Sequence, residues 1–182
     1  VAVMESTQKD HLIAWLAALA IAIHIIESAV PTPLPGVKPG LANVVTIVAL
    51  LSWGWRVAAW ISLLRVLVGS LLIGTFLTPT FFLSFSGACC SLLTLALVQT
   101  LSRQFPALAA GAVGYSVMAA MAHMLGQFLA AYWLFIPHKA LFHLLPVLMT
   151  LALIFGIVSG IIAARVVTNL NSNTQPISKL LP

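Results

Sequence analysis

The 182 residues include 8 Lys and Arg and only 3 Asp and Glu; 62% are hydrophobic and 6% charged, and the mean hydropathy is +1.13. A soluble domain of this size carries about 25% charged residues to cover its surface, so the composition excludes one and predicts an integral membrane protein. The formal charge of +5 arises from scarce acids rather than from a basic run, which argues against nucleic-acid binding.

The chain opens on a polar stretch, VAVMESTQKD (1–10), that leads into apolar residues without a small-residue cleavage site, so the first segment reads as a retained helix. Apolar blocks follow at 11–29, 41–52, 57–74, 81–101, 107–135 and 141–167. A bilayer-spanning helix takes about 17 to 25 residues, and five blocks meet that length. The block 41–52 is too short to cross squarely: it is either a short helix assisted by Trp53, Trp55 and local thinning, or a re-entrant piece buried in protein. The expected fold is all-α, a polytopic bundle over 11–167 of about six transmembrane helices with a short second helix, between a polar N-terminal tail and a flexible polar tail over 168–182. Trp53, Trp55 and Trp133 lie near block ends, where amphipathic rings favour the headgroup zone.

With six crossings, Lys9, Arg56, Arg103, Arg165 and Lys179 fall on one side and Lys38 and Lys139 on the other. The positive-inside rule then puts both termini in the cytoplasm and the proline-rich loop VPTPLPGVKPG outside. Omitting block 41–52 again segregates the cations five to two but puts the N-terminus outside, so charge alone leaves the helix number open. The turn-and-cation GWR at 54–56 favours six.

Five polar side chains interrupt the blocks: His24, Glu27, Arg65, His123 and Gln127. A lone charge at mid-membrane costs about 2.5 to 3.5 kcal/mol on insertion scales and therefore faces the bundle interior. Arg65 stands mid-block, and Glu27 is the one acid in the apolar region; the two are expected to share an internal polar site. His123 and Gln127, four apart, lie on one helical face, with Gly126 beside them allowing a close approach. Asn43 enters from the far end of the proline loop, whose stiffness would hold Lys38 over the mouth of the site. Ser84, with Ser86, adds hydroxyls. The expected solute site is therefore Glu27, Lys38, Asn43, Arg65, Ser84, His123 and Gln127, with positive and hydrogen-bonding groups suited to an anionic or carbonyl-rich portion. A pure assembly role for the Glu–Arg pair, and an interfacial role for His138, Lys139 and His143, are the competing readings.

Small residues form two further stripes. Ala14, Ala18 and Ala22 recur every four positions on the first block, and Gly156 and Gly160 form a GxxxG on the last. Each is suited either to packing inside the bundle or to docking a membrane partner. No Walker sequence, HExxH or carboxylate cluster is present, and adjacent Cys89 and Cys90 lack zinc-site spacing. The expectation is a protein that is not an enzyme and holds no metal or cofactor.

The stretches PGVKPGLAN, LRVLVGSLLIGTF and AHMLGQ, within roughly residues 12–167, resemble the Gx transporter family, whose older label is heptaprenyl diphosphate synthase component I. That family is similar in turn to the substrate-binding membrane subunits of energy-coupling factor transporters. The resemblance implies six helices, cytoplasmic termini in the inner membrane, an outward site capped by the first loop, and an alanine stripe on helix one, here Ala14, Ala18 and Ala22, that meets a transmembrane coupling subunit. The older label implies a different role. Prenyl diphosphate synthases hold magnesium on aspartate-rich clusters, and this chain has a single aspartate, Asp10, so it is not expected to be the catalytic subunit. An accessory subunit of such a synthase, or a non-catalytic subunit of a redox, flavin- or quinone-linked complex, stands as the alternative to solute uptake.

Overall fold

The computed structural model describes residues 2–29, 40–105 and 109–174. Six α-helices carry them: α1 (Ala2–Ala29), α2 (Ala42–Trp53), α3 (Trp55–Ile73), α4 (Pro79–Gln104), α5 (Ala112–Ala130) and α6 (Leu145–Thr174). A π-helical turn, Ala131–Phe135, prolongs α5, and a 3-10 turn, Lys139–His143, leads into α6. No strand occurs among the described residues. Five helices are long and apolar enough to cross a membrane, so the protein is a polytopic helical bundle.

Two helices exceed their expected bounds. α1 continues backward through the polar start of the chain to Ala2, and α6 continues past residue 167 to Thr174. The i to i−4 hydrogen bonds of a helix propagate more cheaply than they nucleate, so a long apolar core carries polar flanks with it.

α2 resolves the ambiguity of the short block. At 1.5 Å per residue its 12 residues span about 18 Å, against about 30 Å of hydrocarbon. Six consecutive residues, Val45 to Leu50, are buried, so every face of this helix is covered by protein along its middle, while its last residues, Leu51 to Trp53, are exposed. A helix apolar all round belongs in an interior, and α1, α3, α5 and α6 surround it. The largest fully buried side chains among the described residues, Ile47 of α2, Ile61 of α3 and Leu95 of α4, belong to one core cluster. Gly54 alone joins α2 to α3, at φ 89° and ψ −178°, a conformation that L side chains rarely adopt. The expected turn at GWR is thus a one-residue hinge.

Glycines set the distances between α4, α5 and α6. A Cβ on Gly160 would stand 2.6 Å from the Val113 Cα, and one on Gly156 would stand 2.9 Å from the Val117 Cα. The GxxxG of α6 therefore packs inside the bundle, backbone to backbone against α5. Gly126 of α5 is approached by Cys90 and the Ser86 carbonyl of α4, and Gly87 of α4 is covered by His123 and Gln127. The close neighbour of Gly126 is thus another helix of the same chain. Ala14, Ala18 and Ala22 differ from the GxxxG in that all three are exposed, on a helix whose Trp15, Leu19 and Ile26 also face outward.

Candidate functional site

Glu27 stands in the last turn of α1, where the helix dipole disfavours an anion. Its carboxylate is redirected to the start of another helix. Oε1 accepts the backbone N–H of Leu41, the residue that caps α2, at 2.5 Å. Helix N-termini leave unsatisfied N–H groups, and Leu41 has no side-chain acceptor of its own to supply. One contact therefore satisfies a buried acid and caps a helix, and it clamps together the two ends of the segment 30–39, which lies outside the described residues. The expected position of Lys38 falls in that segment.

Arg65, 5% exposed, reaches from α3 to α2, where Nη1 donates to Asn43 Oδ1 at 2.8 Å. Glu27 and Arg65 attract one another across the same site, but among the described residues no direct ion pair joins them; each is held by a different group of α2. The shared polar site is thus organised by the first turn of α2. Guanidinium has five N–H donors, and among the described residues one of them is committed, to Asn43.

On the opposite wall, His123 Nε2 lies 3.1 Å from Gln127 Nε2, the i, i+4 pair on one face of α5. Both side chains rest on Gly87, where a Cβ would come within 2.8 Å of Gln127 and 2.9 Å of His123. Ser86 turns away, donating to the carbonyls of Leu83 and Gly126. Ser84 faces inward.

Between these walls lies a cavity of about 330 Å³. Glu27, Asn43, Arg65, Ser84, His123 and Gln127 all line it, so six of the seven expected residues come together from five helices; Lys38 lies outside the described residues. Its apolar walls are Val66, Leu83, Met124 and Phe155. The lining takes the C-terminal part of α1, the start of α2, the second half of α3, the start of α4, α5 from Ser116 to Gln127 and the first half of α6. These meet at one end of an up-and-down bundle, the end from which the segment 30–39 emerges, and from that end the cavity reaches deep along α5.

Sequence reasoning missed Ser116 and Ser159, each 3% exposed, and Thr80. It gave His24 little weight, yet His24 lines the cavity and packs its Cδ2 against Gly69. The signal available for Ser159 was its place inside the GxxxG, which carries it to the α5 contact. His138 and His143 are exposed on the 3-10 turn, where each bonds to the Ala140 backbone.

A helical membrane bundle with one buried guanidinium, one buried carboxylate and a mainly apolar cavity at one end defines a membrane protein with an internal polar pocket. The family model for heptaprenyl diphosphate synthase component I matches residues 16–166, and the chain belongs to that family. No curated protein and no solved structure matches it. Among the described residues no group of three His, Cys, Asp or Glu is placed to hold a metal ion.

Proposed function

We propose that the protein is the substrate-binding subunit of a membrane uptake system, taking a small solute from the outer side of the cytoplasmic membrane and passing it inward with an energising partner. The observation that carries this reading is the convergence of Arg65, Asn43, Glu27, His123 and Gln127 on one cavity of about 330 Å³ at the loop end of the bundle. Pockets of about 300 to 1,000 Å³ with apolar walls and a few convergent polar groups are the usual form of small-molecule sites. The guanidinium borders this cavity, and among the described residues only one of its N–H groups has a partner, which leaves donors for a solute.

Sidedness follows from charge. Lys9, Arg56, Arg103 and Arg165 are exposed at the end opposite the cavity, and Lys139 is exposed at the cavity end. By the positive-inside rule this distribution supports an outward cavity with both termini inside. Arg65 would meet an anionic or carbonyl-bearing portion of the solute, Asn43 and Gln127 would orient it, and Glu27 would hold the base of the capping segment. The exposed Ala14, Ala18 and Ala22 give a flat strip on α1 for a coupling subunit, in keeping with the resemblance to energy-coupling factor transporters.

The test is thermal stabilisation of the purified protein across vitamins, flavins and thiamine-like precursors. A compound that stabilises the native chain and fails to stabilise Arg65→Met supports the reading; one whose effect is unchanged in both Arg65→Met and His123→Ala removes those residues from the site. A second reading, an accessory subunit of a prenyl diphosphate synthase, draws on the family's description. Stoichiometric co-purification with a soluble, aspartate-rich synthase would favour it over uptake.

A further inference from the structure

Beside the charged cavity lies a second compartment of about 180 Å³, bounded by α1, α3, the turn after α3 and the start of α4. The two share His24, Val66, Thr80 and Ser84 as common wall, so they are immediate neighbours. Their chemistry differs. The main cavity is bordered by Glu27 and Arg65, whereas among the described residues no Asp, Glu, Lys or Arg borders the side compartment, and His24 is its one titratable wall residue. What borders it is a set of hydroxyls, Ser28, Ser70, Thr75, Thr80 and Ser84, against the ring of Phe81.

The hydroxyls face a cavity for a reason of local structure. Serine and threonine in membrane helices commonly return their hydrogen to a carbonyl one turn back. Ser70, 6% exposed, does so: its Oγ donates to the Leu67 carbonyl at 2.9 Å. With that hydrogen committed, the oxygen offers lone pairs and acts as an acceptor. Ser84 and Thr80, on the common wall, add hydroxyls whose hydrogens rotate to either role.

We propose that this compartment is a second subsite of the same pocket, receiving a neutral arm of the solute that carries hydroxyl or amide hydrogens while the anionic head stays with Arg65 and Asn43. This rests on the uptake reading above and narrows its substrate class: the solute is elongated, charged at one end, and neutral and hydrogen-bond donating at the other. A second charge is disfavoured in the arm, because among the described residues no carboxylate, ammonium or guanidinium lines the side compartment and desolvating an unpaired ion is costly.

The experiment titrates the purified full-length chain with three carboxylates of equal length: hexanoate, ω-hydroxyhexanoate and adipate. The expected order is ω-hydroxyhexanoate tightest, by roughly three- to tenfold over hexanoate for one net hydrogen bond, with adipate weakest. Ser70→Ala combined with Ser84→Ala erases the preference for the hydroxyl, and a melting temperature close to that of the native chain shows that the variant is folded. Equal binding of hexanoate and ω-hydroxyhexanoate, or a preference that persists in the double variant, overturns the subsite. If the two bind equally but both depend on Arg65, judged by Arg65→Met and Arg65→Gln, the subsite fails while solute binding stands. If none of the three binds, both fail for carboxylate solutes.

Discussion

Arg65 of α3 donates to Asn43 of α2 at 2.8 Å, and this bond makes a cation tolerable in the interior of a membrane bundle. Without it the guanidinium would have only the distant attraction of Glu27 and the water of the cavity. The bond also fixes the direction in which the remaining N–H groups point, which ties a question of stability to one of recognition.

The two are separable by substitution. Asn43→Ala leaves the buried charge short of a partner and is expected to lower unfolding stability by about 1 to 3 kcal/mol. Arg65→Met removes the charge together with its desolvation cost, and replacing a buried ion by an apolar side chain of similar size is often close to neutral. Denaturation in detergent should therefore rank Asn43→Ala as the less stable, while only Arg65→Met abolishes stabilisation by a bound solute. A large loss of stability in Arg65→Met with a negligible one in Asn43→Ala would refute this ordering.

Glu27 acts on the backbone of Leu41. Glu27→Gln keeps an oxygen acceptor and should retain most of the stability, whereas Glu27→Ala leaves the α2 N-terminus without its cap, a loss of about 1 to 2 kcal/mol. Hydrogen exchange at the Leu41 amide reads this directly: slow in the native chain, somewhat faster in Glu27→Gln and fastest in Glu27→Ala. Equal exchange in all three would mean the contact does not persist in solution.

Two glycine substitutions separate packing from function. In Gly160→Ala the new Cβ meets the Val113 Cα at 2.6 Å, which only a shift of α6 against α5 relieves; overpacking of this kind costs about 1 to 3 kcal/mol. In Gly87→Ala the new Cβ meets the side chains of His123 and Gln127 instead. These ends can move. Gly87→Ala is therefore expected to melt nearer the native chain than Gly160→Ala does and to weaken solute binding by displacing the α5 pair, which paired melting and binding measurements would check.

The alanine strip of α1 gives a prediction about association. Ala18 is exposed, so Ala18→Leu should leave the unfolding stability within about 0.5 kcal/mol of the native value, as expected of surface changes. If a membrane subunit docks there, native mass spectrometry of the gently extracted complex should show the partner with the native chain and its loss with Ala18→Leu. Retention of the partner would move the docking face elsewhere.

Much of this protein is legible in one dimension because the membrane simplifies the problem. Lipid cannot satisfy a backbone, so apolar blocks of sufficient length become helices, and the five long ones appear where hydropathy places them. The cost of a charge in hydrocarbon likewise makes Glu27, Arg65, His123 and Gln127 conspicuous in the sequence, before any partner is known. Tertiary structure decided the rest. A short apolar run such as 41–52 looks the same whether lipid or protein surrounds it, and only the packing of four helices around α2 distinguishes the two. Nothing in the spacing of Glu27 and Arg65 announces that both are held by the first turn of α2 rather than by one another. The hydroxyls of the side compartment left no pattern either, because serine and threonine can satisfy themselves on their own helix; which of them face a shared space depends on how three helices and a turn come together.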